Sequence, residues 1–117
     1  MRSYFKAAEF NCKCGCGLNN ARGDLMTRLN QARDAAGIPF GISSGSRCEK
    51  NNRLSGGAPD SAHLEGWAVD IQCVSSMPRY KIITALIAAG FTRIGISKSF
   101  IHADCDPNKP SSVVWTY

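Results

Sequence analysis

Long apolar runs are missing from this sequence. No stretch approaches the roughly 20 consecutive apolar residues that a bilayer-spanning helix needs, so no membrane insertion is expected. Nor does an apolar run follow the first charges in Met1-Arg2-Ser3-Tyr4-Phe5-Lys6, so a secretory leader is not expected and synthesis in the cytoplasm is. Repeats, low-complexity tracts and linkers are also lacking, which points to one small domain over residues 1–117 with a single core, expected to be monomeric. The net charge is +5, yet the basic residues (Arg22, Arg28, Arg33, Lys50 and Arg53 among them) are scattered. Without a Lys/Arg cluster interleaved with aromatics, a nucleic-acid partner is not expected. The charge suits attraction to a polyanionic surface instead. Histidine is the scarcest chemistry-bearing residue, with two in the chain.

Cysteine, by contrast, is plentiful. Six occur, with Cys12, Cys14 and Cys16 crowded together and Cys48, Cys73 and Cys105 dispersed. Three readings stay open: a disulfide framework, whose 15 pairings sequence cannot rank; small buried side chains; and a structural zinc site using the first three and one more, although C-x-C-G-C lacks the usual C-x2-C spacing. Cys48 and Cys105 flank Arg47 and Asp104, and a bridge between them would tie those two segments together.

The apolar positions Leu25, Met26, Leu29, Ala32 and Ala36 recur at helical spacing between Arg22 and Gly37, with Asn20 as the expected N-cap. A second helix is expected from Arg79 to Ala89, opened by Met77-Pro78 and ended by Gly90. Pro39 to Ser44 reads as a short strand, Cys48 to Leu54 as a helical turn, and Trp67 to Ile71 as a half-buried strand. Arg93–Ser97, Phe100–Cys105 and Val113–Tyr117 read as further strands joined by short turns. The pattern predicts an α+β domain with a mainly antiparallel sheet and two principal helices.

Both histidines adjoin predicted strands and acids: His63 in Ser61-Ala62-His63-Leu64-Glu65-Gly66-Trp67-Ala68-Val69-Asp70, and His102 in Phe100-Ile101-His102-Ala103-Asp104. Alternation sends Trp67, Val69 and Ile71 to the core and Asp70 to the opposite face, beside the small Ala68. Gly66 lets the chain turn so that His63 folds back toward Asp70. In the later strand Phe100, His102 and Asp104 share a face. If the two strands are neighbours, His63, Asp70 and His102 converge. Two neutral imidazoles and one carboxylate suit a catalytic zinc with a fourth position left for water, whose pKa falls to about 7. The plainer alternative is that each histidine is an ordinary hydrogen-bonded or surface residue.

These residues form a set that resembles the zinc D-Ala-D-Ala metallopeptidase superfamily, which includes D,D-carboxypeptidases, dipeptidases and phage endolysins, with a Hedgehog-like fold. The likeness rests on Ser61-x-His63-x-x-Gly66-x-Ala68-x-Asp70 followed by His102-x-Asp104, on Ser44-Gly45-Ser46-Arg47, on Gly56-Gly57-Ala58-Pro59-Asp60-Ser61, and on the opening Phe5 to Gly17. The resemblance implies a zinc-dependent peptidase of bacterial peptidoglycan, with His63, Asp70 and His102 as metal ligands. Arg47 is then expected at the scissile carbonyl or a substrate carboxylate, and Ser61 at a hydrogen bond to substrate. Action on the cell wall without a leader would imply delivery by phage machinery.

The pattern departs at the general base. Several relatives carry an acid three residues before the last ligand histidine, and here that position is Ser99. Asp104 is the best substitute on the strand face of His102, either as the base or as a carboxylate that orients a ligand histidine. The gap at Ser99 favours a competing reading, a non-catalytic zinc-containing wall-binding module of the same fold. A third is a small structural protein that uses none of these residues catalytically.

Overall fold

The computed structural model describes residues 3–117; Met1 and Arg2, part of the start at which no leader is expected, lie outside the described residues. Three helices, α1 (Gly23–Ala36), α2 (Glu49–Leu54) and α3 (Ser76–Ala88), accompany five strands: β1 (Ile42–Ser44), β2 (Ala68–Gln72), β3 (Arg93–Ile96), β4 (Phe100–Asp104) and β5 (Val113–Thr116). Short 3-10 helices span Ala7–Phe10 and Ala62–Glu65. The strands form one sheet in the order β1-β2-β4-β3-β5. All neighbours are antiparallel except β3 and β5. This is the expected α+β architecture.

Alternation divides the sheet into two faces with different work. Val69, Ile71, Ile94, Ile101 and Ala103 pack against Leu25, Leu29 and Ala32 of α1 and Ile82, Ala85 and Leu86 of α3 in one hydrophobic cluster. Burying a side chain such as Leu29 or Leu86 fully stabilises the fold by roughly 1.5–3 kcal/mol. The other face carries a row of directly opposed residues across all five strands: Ser44, Asp70, His102, Gly95 and Trp115. The core thus fixes the register, because a one-residue slip would exchange the two faces.

Four local expectations are revised. Asn20 is not the N-cap of α1; Arg22 is, without a side-chain cap bond. The Asn20 amide instead donates to the Leu64 carbonyl and tethers the loop that carries His63. Strand β2 is not half-buried, since Ala68, Val69, Asp70 and Ile71 are all buried. The Asp70 face is roofed by His63, His102 and Arg47, so polar residues rather than water cover it. Strand β5 does not continue the meander: residues 105–112 carry the chain past β3 to its outer edge, where it pairs in parallel. Finally, Cys48 and Cys105 are not bridged; all six cysteines are free thiols. Cys105 is buried, and the Cys48 sulfur faces Cys12 and Cys14.

Candidate metal centre

Three elements deliver the three expected ligands. Asp70 on β2 and His102 on β4 are direct cross-strand partners. His63 lies in the 3-10 helix Ala62–Glu65, whose first turn is capped by the Ser61 hydroxyl accepting from the His63 N–H. Gly66 ends that helix in the left-handed region, φ 77°, and reverses the chain into β2. A Cβ there would lie inside the Asn20 carbonyl group, so this position combines a glycine-favouring conformation with no room for a side chain.

The contacts bring one atom of each residue to a common point. His63 Nε2 lies 3.2 Å and His102 Nδ1 3.1 Å from the same oxygen, Asp70 Oδ1. The outer atoms are all engaged. His63 Nδ1 is 2.8 Å from the Gly45 carbonyl, His102 Nε2 is 2.6 Å from Asp104 Oδ2, and Arg47 donates to Asp70 Oδ2 at 3.0 Å. A carbonyl or carboxylate oxygen only accepts, so these partners place the ring protons on His63 Nδ1 and His102 Nε2. In the neutral rings the inward nitrogens are then lone pairs facing a carboxylate oxygen. Three converging acceptors need a cation between them, either a proton or a metal. Their spacing fits the latter: ligands at about 2.0–2.1 Å from a tetrahedral zinc stand roughly 3.3 Å apart. The donor set and its spacing therefore fit zinc.

Electrostatics point the same way. Burial alone would raise the Asp70 carboxyl, but hydrogen bonds from His102 and His63 and their charges hold it well below the usual carboxylate range. Burial alone would lower His102, and its bonds to Asp104 and Asp70 outweigh that and raise it. In metal-free protein the protonated His102 therefore contributes stability that is complete below its unfolded value of about 6.5 and lost as pH rises through the higher folded value. Ionised Asp70 contributes stability above about 3.9, lost only as pH falls through its depressed folded value. Chelated protein should accordingly show its highest urea midpoint between about pH 4 and 6.5 and a falling midpoint above. Metal competes with the His102 proton, so metal affinity should rise over the range in which that midpoint falls.

The triad sits in a cleft of 370 Å³ whose lining also includes Arg47, Ser61, Asp60, Arg93, Lys109, Trp115 and Tyr117. Arg47 is held by three acceptors: Ser44 Oγ at 2.9 Å, Asp70 Oδ2 at 3.0 Å and Asn52 Oδ1 at 3.4 Å. Ser61 faces the cleft while its oxygen caps the His63 turn. Both Asp104 oxygens are occupied, one by His102 and the other by Arg93 at 3.0 Å and the Asp106 N–H. Ser99, the residue three before His102, is outside this cleft; its carbonyl accepts from Cys73 N–H.

A family model for peptidase M15 matches residues 3–104. The chain belongs to the peptidase M15 family. That places it in the zinc D-Ala-D-Ala metallopeptidase superfamily, and the matched range contains every residue of the triad together with Arg47 and Asp104. Among curated proteins, none matches. M15 peptidases are zinc-dependent, in agreement with the donor set described above.

Sequence reasoning passed over Arg93, Trp115 and Tyr117 as parts of this M15 site. Trp115 packs on His102 with ring centroids 5.3 Å apart, and Tyr117 on Phe100 at 5.1 Å. Gly95 makes the first contact possible, since a Cβ there would come 2.6 Å from Trp115 Nε1. The alternation Val113-x-Trp115-x-Tyr117 already placed both aromatics on one face. What it did not supply was a neighbour for that face.

Proposed function

We propose that this chain is a zinc peptidase that hydrolyses peptide bonds in the stem peptides or cross-links of bacterial peptidoglycan, acting at the cell wall after delivery by phage machinery. The observation that carries the reading is the meeting of His63 Nε2, Asp70 Oδ1 and His102 Nδ1 on the floor of an open cleft. Zinc bound there supplies Lewis acidity toward an amide carbonyl and lowers the pKa of a water to about 7. The protein's own groups prepare that chemistry. The Gly45 carbonyl and Asp104 hold the ring protons on the outer nitrogens, so the inner ones stay available. Arg47, anchored to Asp70, presents a permanent charge to the cleft, where it would offset negative charge developing on the scissile oxygen, a contribution of about 3 kcal/mol per donor. Lys109 and Arg93 also line the walls, each in an ion pair, with Asp60 at 3.1 Å and with Asp104 at 3.0 Å. Asp104 is a positioning residue in this scheme, because one of its oxygens holds the His102 ring while the other is engaged by Arg93 and the Asp106 N–H.

That role has a measurable consequence. Asp104→Asn should weaken zinc binding about 10–100-fold, as loss of a histidine-orienting carboxylate does, in a competition titration against a chelator. Unchanged affinity would remove Asp104 from the metal site.

The open cleft favours a polymeric substrate over a lidded dipeptide pocket. Digestion of purified peptidoglycan with mass analysis of the fragments tests the proposal and names the bond. Loss of D-Ala marks a carboxypeptidase, separated cross-links mark a D,D-endopeptidase, and new L-Ala ends mark an L-Ala-D-Glu endopeptidase; each should vanish with chelator. The position of Ser99 outside the cleft favours one second reading, a zinc-containing wall-binding module. Tight binding to peptidoglycan with no fragment released under any metal would establish that instead.

A further inference from the structure

The second group of metal-ligating side chains lies apart from the cleft. We infer that Cys12, Cys14, Cys16 and Cys48 form a structural zinc site that clamps the N-terminal loop to the segment bearing Arg47. The four sulfurs all lie within 4.8 Å of one another. Three of the separations are given by direct contacts: Cys12–Cys14 3.4 Å, Cys14–Cys48 3.6 Å and Cys12–Cys48 3.8 Å. Thiolates at about 2.3 Å from a tetrahedral zinc stand roughly 3.8 Å apart, so these sulfurs are already spaced as the corners of such a tetrahedron.

The backbone around them is shaped for the purpose. Cys12 N–H donates to the Leu18 carbonyl at 2.8 Å and closes the loop on itself. Inside it Gly15 and Gly17 take φ of 83° and 86°, which bend the chain so that alternate residues turn inward. N–H groups also point at sulfur: Cys48 N and Asn51 Nδ2 donate to Cys12 Sγ at 3.4 and 3.3 Å, and Asn51 N donates to Cys48 Sγ at 3.4 Å. Donors aimed at sulfur favour the thiolate, the form that binds metal. Burial as small apolar residues accounts for Cys73 and Cys105 but not for Cys14 and Cys16, which are exposed. None of the four is bonded to another, and a single disulfide would join two of them and leave unexplained why the others gather on it. An all-sulfur tetrahedral set selects zinc over hard cations, and binding releases to solvent whatever protons the four sulfurs still carry.

The clamp bears on the triad through a short path. Cys48 follows Arg47 directly, and Ser46 N–H donates to the Phe10 carbonyl at 2.9 Å, just before the cysteine loop. Gly45, which directly precedes Ser46 and whose carbonyl fixes the His63 ring, lies so close to Phe10 that a Cβ would approach its Cα to 2.8 Å. Zinc at the cysteines therefore anchors both sides of the segment that positions Arg47 and His63.

Whole protein purified in reductant without chelator, then analysed for zinc before and after a mercurial titration, tests this. The expected result is two zinc ions per chain, one released by the mercurial as thiols are blocked, and a thiolate-to-metal charge-transfer band after cobalt substitution. His63→Ala should retain one mercurial-releasable zinc; Cys14→Ser/Cys16→Ser should retain one that resists the mercurial. The wild-type titration stands even if the cysteine variant fails to fold. No mercurial-releasable zinc, iron in its place, or Cys12 or Cys48 recovered as cystine from freshly reduced protein would overturn the inference. If His63→Ala left both ions in place, the peptidase reading would fail and the cysteine site would stand.

Discussion

Asp70→Asn is expected to leave a folded protein that has lost the cleft metal and with it peptide-bond hydrolysis. The asparagine keeps the size of the side chain at the centre of β2, so the sheet need not rearrange. What changes is the charge facing His63 Nε2 and His102 Nδ1 at 3.2 and 3.1 Å. An amide in that position can donate to those nitrogens, which satisfies the site without a cation. The Lewis-acid contribution is several kcal/mol, and at 1.36 kcal/mol per tenfold kcat/KM should fall about 10³-fold. Far-UV circular dichroism should match the unmodified protein, and zinc analysis should show one ion fewer per chain. An Asp70→Asn protein that kept both zinc and activity would remove Asp70 from the ligand set.

Gly66→Ala should act through the fold rather than through charge. The left-handed conformation, φ 77°, costs an L-residue about 1–2 kcal/mol. The added methyl also collides with the Asn20 carbonyl, and overpacking of this kind typically costs a further 1–3 kcal/mol. The loop that pays for this carries His63, and Gly66 also accepts from the Arg22 N–H at the start of α1. A loss of about 2–5 kcal/mol in urea denaturation is expected, with weaker zinc binding in whatever remains folded. A loss below about 0.5 kcal/mol, the range of an ordinary surface change, would mean that the turn relaxes freely.

Much of this arrangement was legible before any coordinates. The alternation in Trp67 to Ile71 and Phe100 to Asp104 separated core from polar residues, because a strand repeats every two residues wherever it lies. Helices α1 and α3 ended at or within a residue or so of their glycines, Gly37 and Gly90, and Gly66 announced the reversal that returns His63 to Asp70. Strand order was not legible. The period of two is the same for parallel and antiparallel partners, so nothing in Val113 to Tyr117 revealed that Trp115 would cross from the outer edge of β3 to His102. The support of His63 was invisible for another reason: it comes from a backbone carbonyl, Gly45, which every residue possesses. Adjacency misled at Cys48. Standing beside Arg47 gave its sulfur no direction, and it turns toward the N-terminal loop rather than toward Cys105.

Anomalous diffraction at the zinc edge, from crystals of the zinc-loaded protein, addresses the cleft most directly. A peak about 2.0–2.2 Å from His63 Nε2, Asp70 Oδ1 and His102 Nδ1, with the outer face of each ligand still bound to Gly45, Arg47 and Asp104, is the expected result. Zinc found only at the cysteines, with the two imidazoles and the carboxylate still touching one another, would contradict it.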